Sequence, residues 1–141
     1  MGIFLPLDRC LSLLKYDEGE ELFPYQDIEG NLTIGIGHLV DNGISPDVSK
    51  LIFIEDFLKA QKYCLLKIPC YSQLAEGRRY VLANMCFNLG ISRLLGFKKM
   101  LAALEAGDYK TAASEMMNSK WAAQVGARAE RLHKIMLQGE W

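Results

Sequence analysis

The chain has 141 residues, of which 50% are hydrophobic and 23% charged, with a formal net charge of −1. That mixture suits one globular domain and excludes disorder and a disulfide scaffold; no apolar run approaches the ~18 residues of a membrane-spanning helix. The near-neutral total conceals a split, because residues 1–60 carry four basic and eleven acidic side chains while residues 61–141 carry twelve and six. The opening Met1-Gly2-Ile3-Phe4-Leu5-Pro6 lacks a basic n-region and a cleavage site, so no cleaved signal is expected. Cys10, Cys64, Cys70 and Cys86 form no C-x-x-C pair, and His38 and His133 lie far apart. No metal site is therefore expected, and the thiols read as small packed hydrophobes, Cys64–Cys70 being a pair that would close in an oxidising compartment.

Leu7, Cys10, Leu11 and Leu14 recur at helical spacing, with Pro6 at the entry and Gly19 as the stop. From Leu22 to Val40 the period changes. Tyr25, Thr33, Ile34 and Ile36 are strand formers around the turn Glu29-Gly30-Asn31, which predicts a small meander. Gly35 and Gly37, alternating with isoleucines, predict a strand that something approaches closely. Ser45 then caps a helix that starts at Pro46 and runs to about Lys67, with Pro69 ending it. The remainder reads as helices at about Gln73–Leu89, Phe97–Ala106, Asp108–Asn118 and Ala127–Gln138. The fold class is α+β: a small lobe with a β-meander at about 1–45, a connecting helix at about 46–67, and a larger helical lobe at about 68–141, all within one domain.

Glu18 stands at the C-terminal end of the first helix, where the macrodipole disfavours a negative charge; Asp17, Glu20 and Glu21 act in the same sense. A carboxylic acid kept protonated is what a general acid requires. Asp27 follows nine residues later, in the strand beyond Pro24-Tyr25, and Thr33 lies in the next strand. Two carboxylates separated by ~6.5–9.5 Å leave room for a water, as in an inverting glycosidase.

Tyr16-Asp17-Glu18-Gly19, Pro24-Tyr25-Gln26-Asp27 and Gly30-Asn31-Leu32-Thr33-Ile34-Gly35-Ile36-Gly37-His38 resemble the N-terminal lobe of the phage-type lysozymes, the T-even phage muramidase family of glycoside hydrolases. Arg78-Arg79, Asn84 to Gly90, Ser119-Lys120-Trp121, Gln124, Arg128-Ala129 and Gly139-Glu140-Trp141 are similar to that family's helical lobe. The likeness covers about 16–41 and 68–141 in order.

It implies a two-lobed, lysozyme-like fold and a muramidase that cleaves the β-1,4 bond between N-acetylmuramic acid and N-acetylglucosamine. Glu18 would protonate the glycosidic oxygen, Asp27 would be the second carboxylate, and Thr33 would help hold the water. Arg128 matches an arginine that pairs with the acid, and Leu39, Phe87, Asn88, Trp121 and Gln124 match cleft-lining positions, with Phe87 and Trp121 equally readable as core. His38 reads as a structural histidine satisfied by a carboxylate, Asp56 being a candidate. The stretch between His38 and Pro69 is shorter than the family's, and Met100 and Glu115 replace small polar groups. The resemblance further implies a cofactor-free monomer acting on peptidoglycan glycan strands, with no nucleic-acid partner and no stable membrane insertion. As an endolysin it would accumulate in the host cytoplasm and reach the periplasm through a holin-like pore. The competing reading is a lysozyme fold retired to peptidoglycan binding.

Overall fold

The computed structural model describes residues 2–141, which divide into two compact units, residues 2–50 and 51–141. None of the described helices is long and apolar enough to cross a membrane.

In the first unit, α1 (Leu7–Glu18) ends at Gly19, whose N–H bonds the Lys15 carbonyl with φ at +75°. Three antiparallel strands follow in the order β1 (Glu21–Gln26), β2 (Leu32–Gly35) and β3 (His38–Leu39). Thr33 pairs with Tyr25 on one side and Leu39 on the other, so the strand carrying it is the central one. Thr33 is only 2% exposed, whereas Leu32 beside it on the same strand is 43% exposed. Of the α1 stripe, Leu7, Leu11 and Leu14 are exposed and Cys10 is half-buried.

The helix α2 (Pro46–Lys67) begins where Ser45 and Pro46 predict; the Ser45 hydroxyl accepts the Val48 N–H at 3.2 Å. The second unit holds its core. Ile68, Leu82, Met85, Leu94, Met100, Leu104, Met116 and Met136 are almost wholly buried. They are carried by α3 (Glu76–Leu89), α4 (Ile91–Leu95), α5 (Lys98–Glu105), α6 (Tyr109–Met117) and α8 (Ala127–Gln138), with Ile68 just beyond α2. Between α6 and α8 a six-residue α7 (Lys120–Val125) is capped by Ser119, whose hydroxyl accepts the Ala122 N–H.

Two interactions tie α8 to α3. A Cβ at Gly77 would lie 2.5 Å from the Gly139 carbonyl oxygen, so only glycine admits this approach. Arg78 then donates from Nε to the Met136 carbonyl and from Nη2 to that of Leu137, satisfying acceptors a helix end leaves open. Cys64 lies beside Cys86 in this core, whereas the Cys70 thiol sits against Glu105, so the thiol facing Cys64 is not the one its spacing suggests.

Four sequence expectations need adjustment, the first being that Gly37 lies in the turn between β2 and β3 and not in a strand. The third helix starts at Glu76 rather than Gln73, because Tyr71–Gln73 form a single 3-10 turn and Leu74 is extended. Helices α4 and α7 are separate short elements. Asp27 lies one residue past β1, in the turn.

Candidate active site

Glu18 is the last residue of α1, and its carboxylate packs onto the backbone of Gly37 beside β3. A Cβ built at Gly37 would stand 3.2 Å from Glu18 Oε2 and 3.4 Å from its Cδ. Of the two alternating glycines, only Gly37 meets the expected close approach, made by the acid itself; nothing lies within 4 Å of a Cβ at Gly35. Among the described residues of this unit no N–H or O–H donates to Glu18, and the ion pair present here joins Lys15 to Glu20 at 3.2 Å.

Asp27 is held in the opposite manner. Its Oδ1 accepts the backbone N–H groups of Asn31 at 2.8 Å and Glu29 at 2.9 Å, while Oδ2 lies 3.4 Å from the Asn31 amide nitrogen. The Asn31 N–H above all, with that of Glu29, favours the anion and holds the Asp27 carboxyl below the usual carboxylate range, despite a partial opposing penalty from burial. The loop is closed by backbone bonds from Asp27 N–H to the Asn31 carbonyl and from Gly30 N–H to the Asp27 carbonyl. Thr33 Oγ1 donates to that same Asn31 carbonyl at 3.0 Å, so a buried hydroxyl braces the residue that grips Asp27. Asn31 is the residue of this candidate site that the sequence did not single out; its place in the turn Glu29-Gly30-Asn31, four residues after an aspartate, was the available signal.

His38 is satisfied within the same unit. Its Nε2 lies 2.8 Å from the Gly43 carbonyl oxygen, so the expected carboxylate partner is replaced by a backbone acceptor five residues on. Leu39 is half-buried on β3 opposite Thr33.

The remaining candidates belong to the second unit. Trp121 is 4% exposed, stands edge-on to Phe97 with centroids 6.2 Å apart, and donates its indole N–H to Asn88 Oδ1 at 2.8 Å. It is thus core on one side, with Asn88 as its exposed polar partner. Phe87 stays half-exposed and packs edge-on against Phe53 and Phe57, each with centroids 6.0 Å away. Arg128 donates from both Nε and Nη2 to Asn84 Oδ1, at 3.0 and 2.7 Å, which fixes its guanidinium from within the unit.

Trp121 and Gln124 also line a cavity of about 680 Å³. That volume falls in the ~300–1,000 Å³ range of small-molecule sites. Arg93, Lys98, Lys99 and Lys120 share its walls, with Glu115 as the opposing carboxylate. The sequence did not reveal this cationic setting, because its members come from four separate segments.

The Phage lysozyme family model matches residues 15–134. "Probable T4-type lysozyme 2" of Dictyostelium discoideum is 32% identical over 91% of this chain and 93% of its own length. An "Endolysin" of Acyrthosiphon pisum secondary endosymbiont phage 1 is 32% identical over 81% of this chain and 77% of its own. The "Pre-baseplate central spike protein Gp5" of Enterobacteria phage T4 is 29% identical over 91% of this chain but only 27% of its own length. With a helix-ended glutamate, a three-stranded antiparallel sheet and a helical unit in the order these relatives match, the chain belongs to the phage lysozyme family and is a lysozyme-type glycoside hydrolase.

Proposed function

We propose that this lysozyme hydrolyses the β-1,4 bond between N-acetylmuramic acid and N-acetylglucosamine in peptidoglycan, with inversion, using Glu18 as general acid and Asp27 as the second carboxylate. The observation that carries this reading is the unequal treatment of the two carboxylates. Asp27 is gripped by backbone donors that favour its charge, as suits a group that activates water or stabilises an oxocarbenium-like transition state. Glu18 rests on a bare glycine with no donor from its own unit, which leaves its oxygens free to present a proton. Thr33 positions Asp27 through Asn31, and its hydroxyl, whose proton goes to the Asn31 carbonyl, retains lone pairs for a water.

Leu39, Phe87, Asn88, Trp121 and Gln124 contact the glycan in this reading. Arg128 belongs to the same proposed substrate-binding set, its guanidinium held by Asn84. Likeness to an endolysin supports a role in host-cell lysis, with accumulation in the host cytoplasm and passage through a holin-like pore to the periplasm.

The test is turbidity loss of outer-membrane-permeabilised Gram-negative cells by wild type and Glu18→Gln, with folding of both checked by circular dichroism. Loss of a general acid should slow lysis by about 10²–10⁴-fold. Equal rates would sink the assignment. NMR of freshly released sugar should show the α anomer first; β first would mean retention.

A further inference from the structure

A second cavity in residues 51–141, of about 170 Å³, shares no lining residue with the larger one. Its walls include Phe57, Gln61, Tyr71, Glu76, Arg79 and Trp141. None of them enters the catalytic proposal. At that volume it has room for several waters or a small organic solute.

Arg79 is the anomaly. Its Nε is buried and has no hydrogen-bond partner. Two other arginines of this unit show the contrast: Arg78 is engaged by two carbonyls and Arg128 by Asn84. A buried donor left unmatched is costly, and native proteins rarely carry one without a reason. Glu76 lies one helical turn before Arg79 on α3, the spacing at which opposite charges ordinarily meet. The two line the same cavity, yet they form no ion pair. Among the described residues, Arg79 and the exposed Glu76 thus line one small chamber with neither in an ion pair, and its aromatic wall includes Trp141, which packs on Tyr80 with centroids 4.6 Å apart.

We propose that this cavity binds a small zwitterion of the α-amino-acid type, alanine being a representative, its carboxylate on the Arg79 guanidinium and its ammonium toward Glu76. A guanidinium fork matches a carboxylate in shape as well as charge. A simple anion would meet Glu76 and a simple cation would meet Arg79; a molecule carrying both charges meets neither penalty. Tyr71, 7% exposed, adds a phenol that burial keeps in its neutral, hydrogen-bonding form.

The experiment is a two-dimensional 1H–15N NMR titration of the full chain, following the Arg79 Nε–H and Trp141 indole N–H signals. Alanine, as either enantiomer, is compared with sodium acetate and methylammonium chloride at matched ionic strength. Saturable shifts of both signals with alanine, and about tenfold weaker binding of each half-ligand, are expected. Glu76→Gln, an exposed substitution that leaves the cavity floor intact, should erase the preference for alanine over acetate, and Arg79→Gln should abolish binding of both. Absence of a saturable shift with alanine would mean that water alone fills the cavity and would overturn the proposal. So would acetate binding the wild type as tightly as alanine.

Discussion

Gly37→Ala separates positioning of the acid from stability of the fold. Gly37 has φ at +69°, and an alanine Cβ there would meet Glu18 Oε2 at 3.2 Å, inside ordinary van der Waals contact. Left-handed backbone costs an alanine about 1–2 kcal/mol. In a chain of this size that lowers Tm by about 3–8 °C. The steric contact is with the end of a flexible side chain, so the carboxylate gives way by a few tenths of an ångström while the backbone stays. If a 1 Å misplacement costs about 10²-fold, a shift of about 0.2–0.4 Å costs about three- to sixfold in kcat/KM.

Gly107→Ala is the matched control, with φ at +73° and nothing within 4 Å of the added Cβ. It should lose the same few degrees and no activity. The assay is the initial rate of turbidity loss, normalised to folded protein, beside a thermal melt of each variant. Wild-type activity in Gly37→Ala, or an equal loss in Gly107→Ala, would refute the claim that this glycine seats the acid.

Trp121→Phe keeps an aromatic ring against Phe97 but removes the indole N–H that Asn88 accepts; urea unfolding should show a loss of about 1 kcal/mol, since the exposed Asn88 recovers water as its partner. Because Asp27 is depressed below its ordinary 3.8 in the folded chain, its stabilising contribution is complete above that value and is lost as pH falls through the lower folded value. Asp27→Asn should therefore weaken the fall of Tm on the acid side of pH 3.8, and an unchanged acid limb would contradict the grip by Asn31 and Glu29. Burial pushes the Cys64 thiol up to about 12 and that of Cys70 to about 11, and raises Cys86 as well. Since thiolates are the reactive species, Ellman's reagent at pH 8 should reach these three only after denaturant is added.

The sequence marks elements well where a cap or a stop is chemical. Ser45-Pro46 opens α2, Gly19 ends α1, and Asp108 caps α6 by accepting the Thr111 N–H at 3.1 Å. It marks them poorly where the element is short. The five residues of α4 and six of α7 hold fewer than two turns, too few for a period to show. Asp27 reads as strand from its neighbours, but its own carboxylate bonds the chain two and four residues on and draws it into a turn. Side-chain partnerships across long separations leave no local trace. Arg128 with Asn84 and Trp121 with Asn88 span 44 and 33 residues. The His38 partner is a backbone carbonyl, which composition cannot distinguish from any other. The charge split, by contrast, maps onto structure: residues 1–50 hold three basic and nine acidic side chains, and residues 51–141 hold thirteen and eight.

The roles proposed for the two carboxylates also differ in how much of each is built into the chain around them. A group meant to stay charged is best served by donors that cannot leave, and backbone N–H groups in a tight turn meet that requirement. Asp27 creates that turn with its own side chain, so the residue that needs the donors is the one that gathers them. Lengthening it to glutamate would move the oxygens off Glu29 and Asn31 and dissolve the arrangement it depends on. A group meant to give up a proton is served by the reverse, a seat without donors. Gly37 offers only Cα and backbone, and it does so because a helix terminus and a strand end bring Glu18 above a position with no side chain. Thr33 belongs to the first of these devices: its buried hydroxyl and the Asp27 N–H share the Asn31 carbonyl, which keeps the turn from opening. Every contact in both devices lies between residues 18 and 37, so the division of labour proposed for the two acids is set within one unit of the chain.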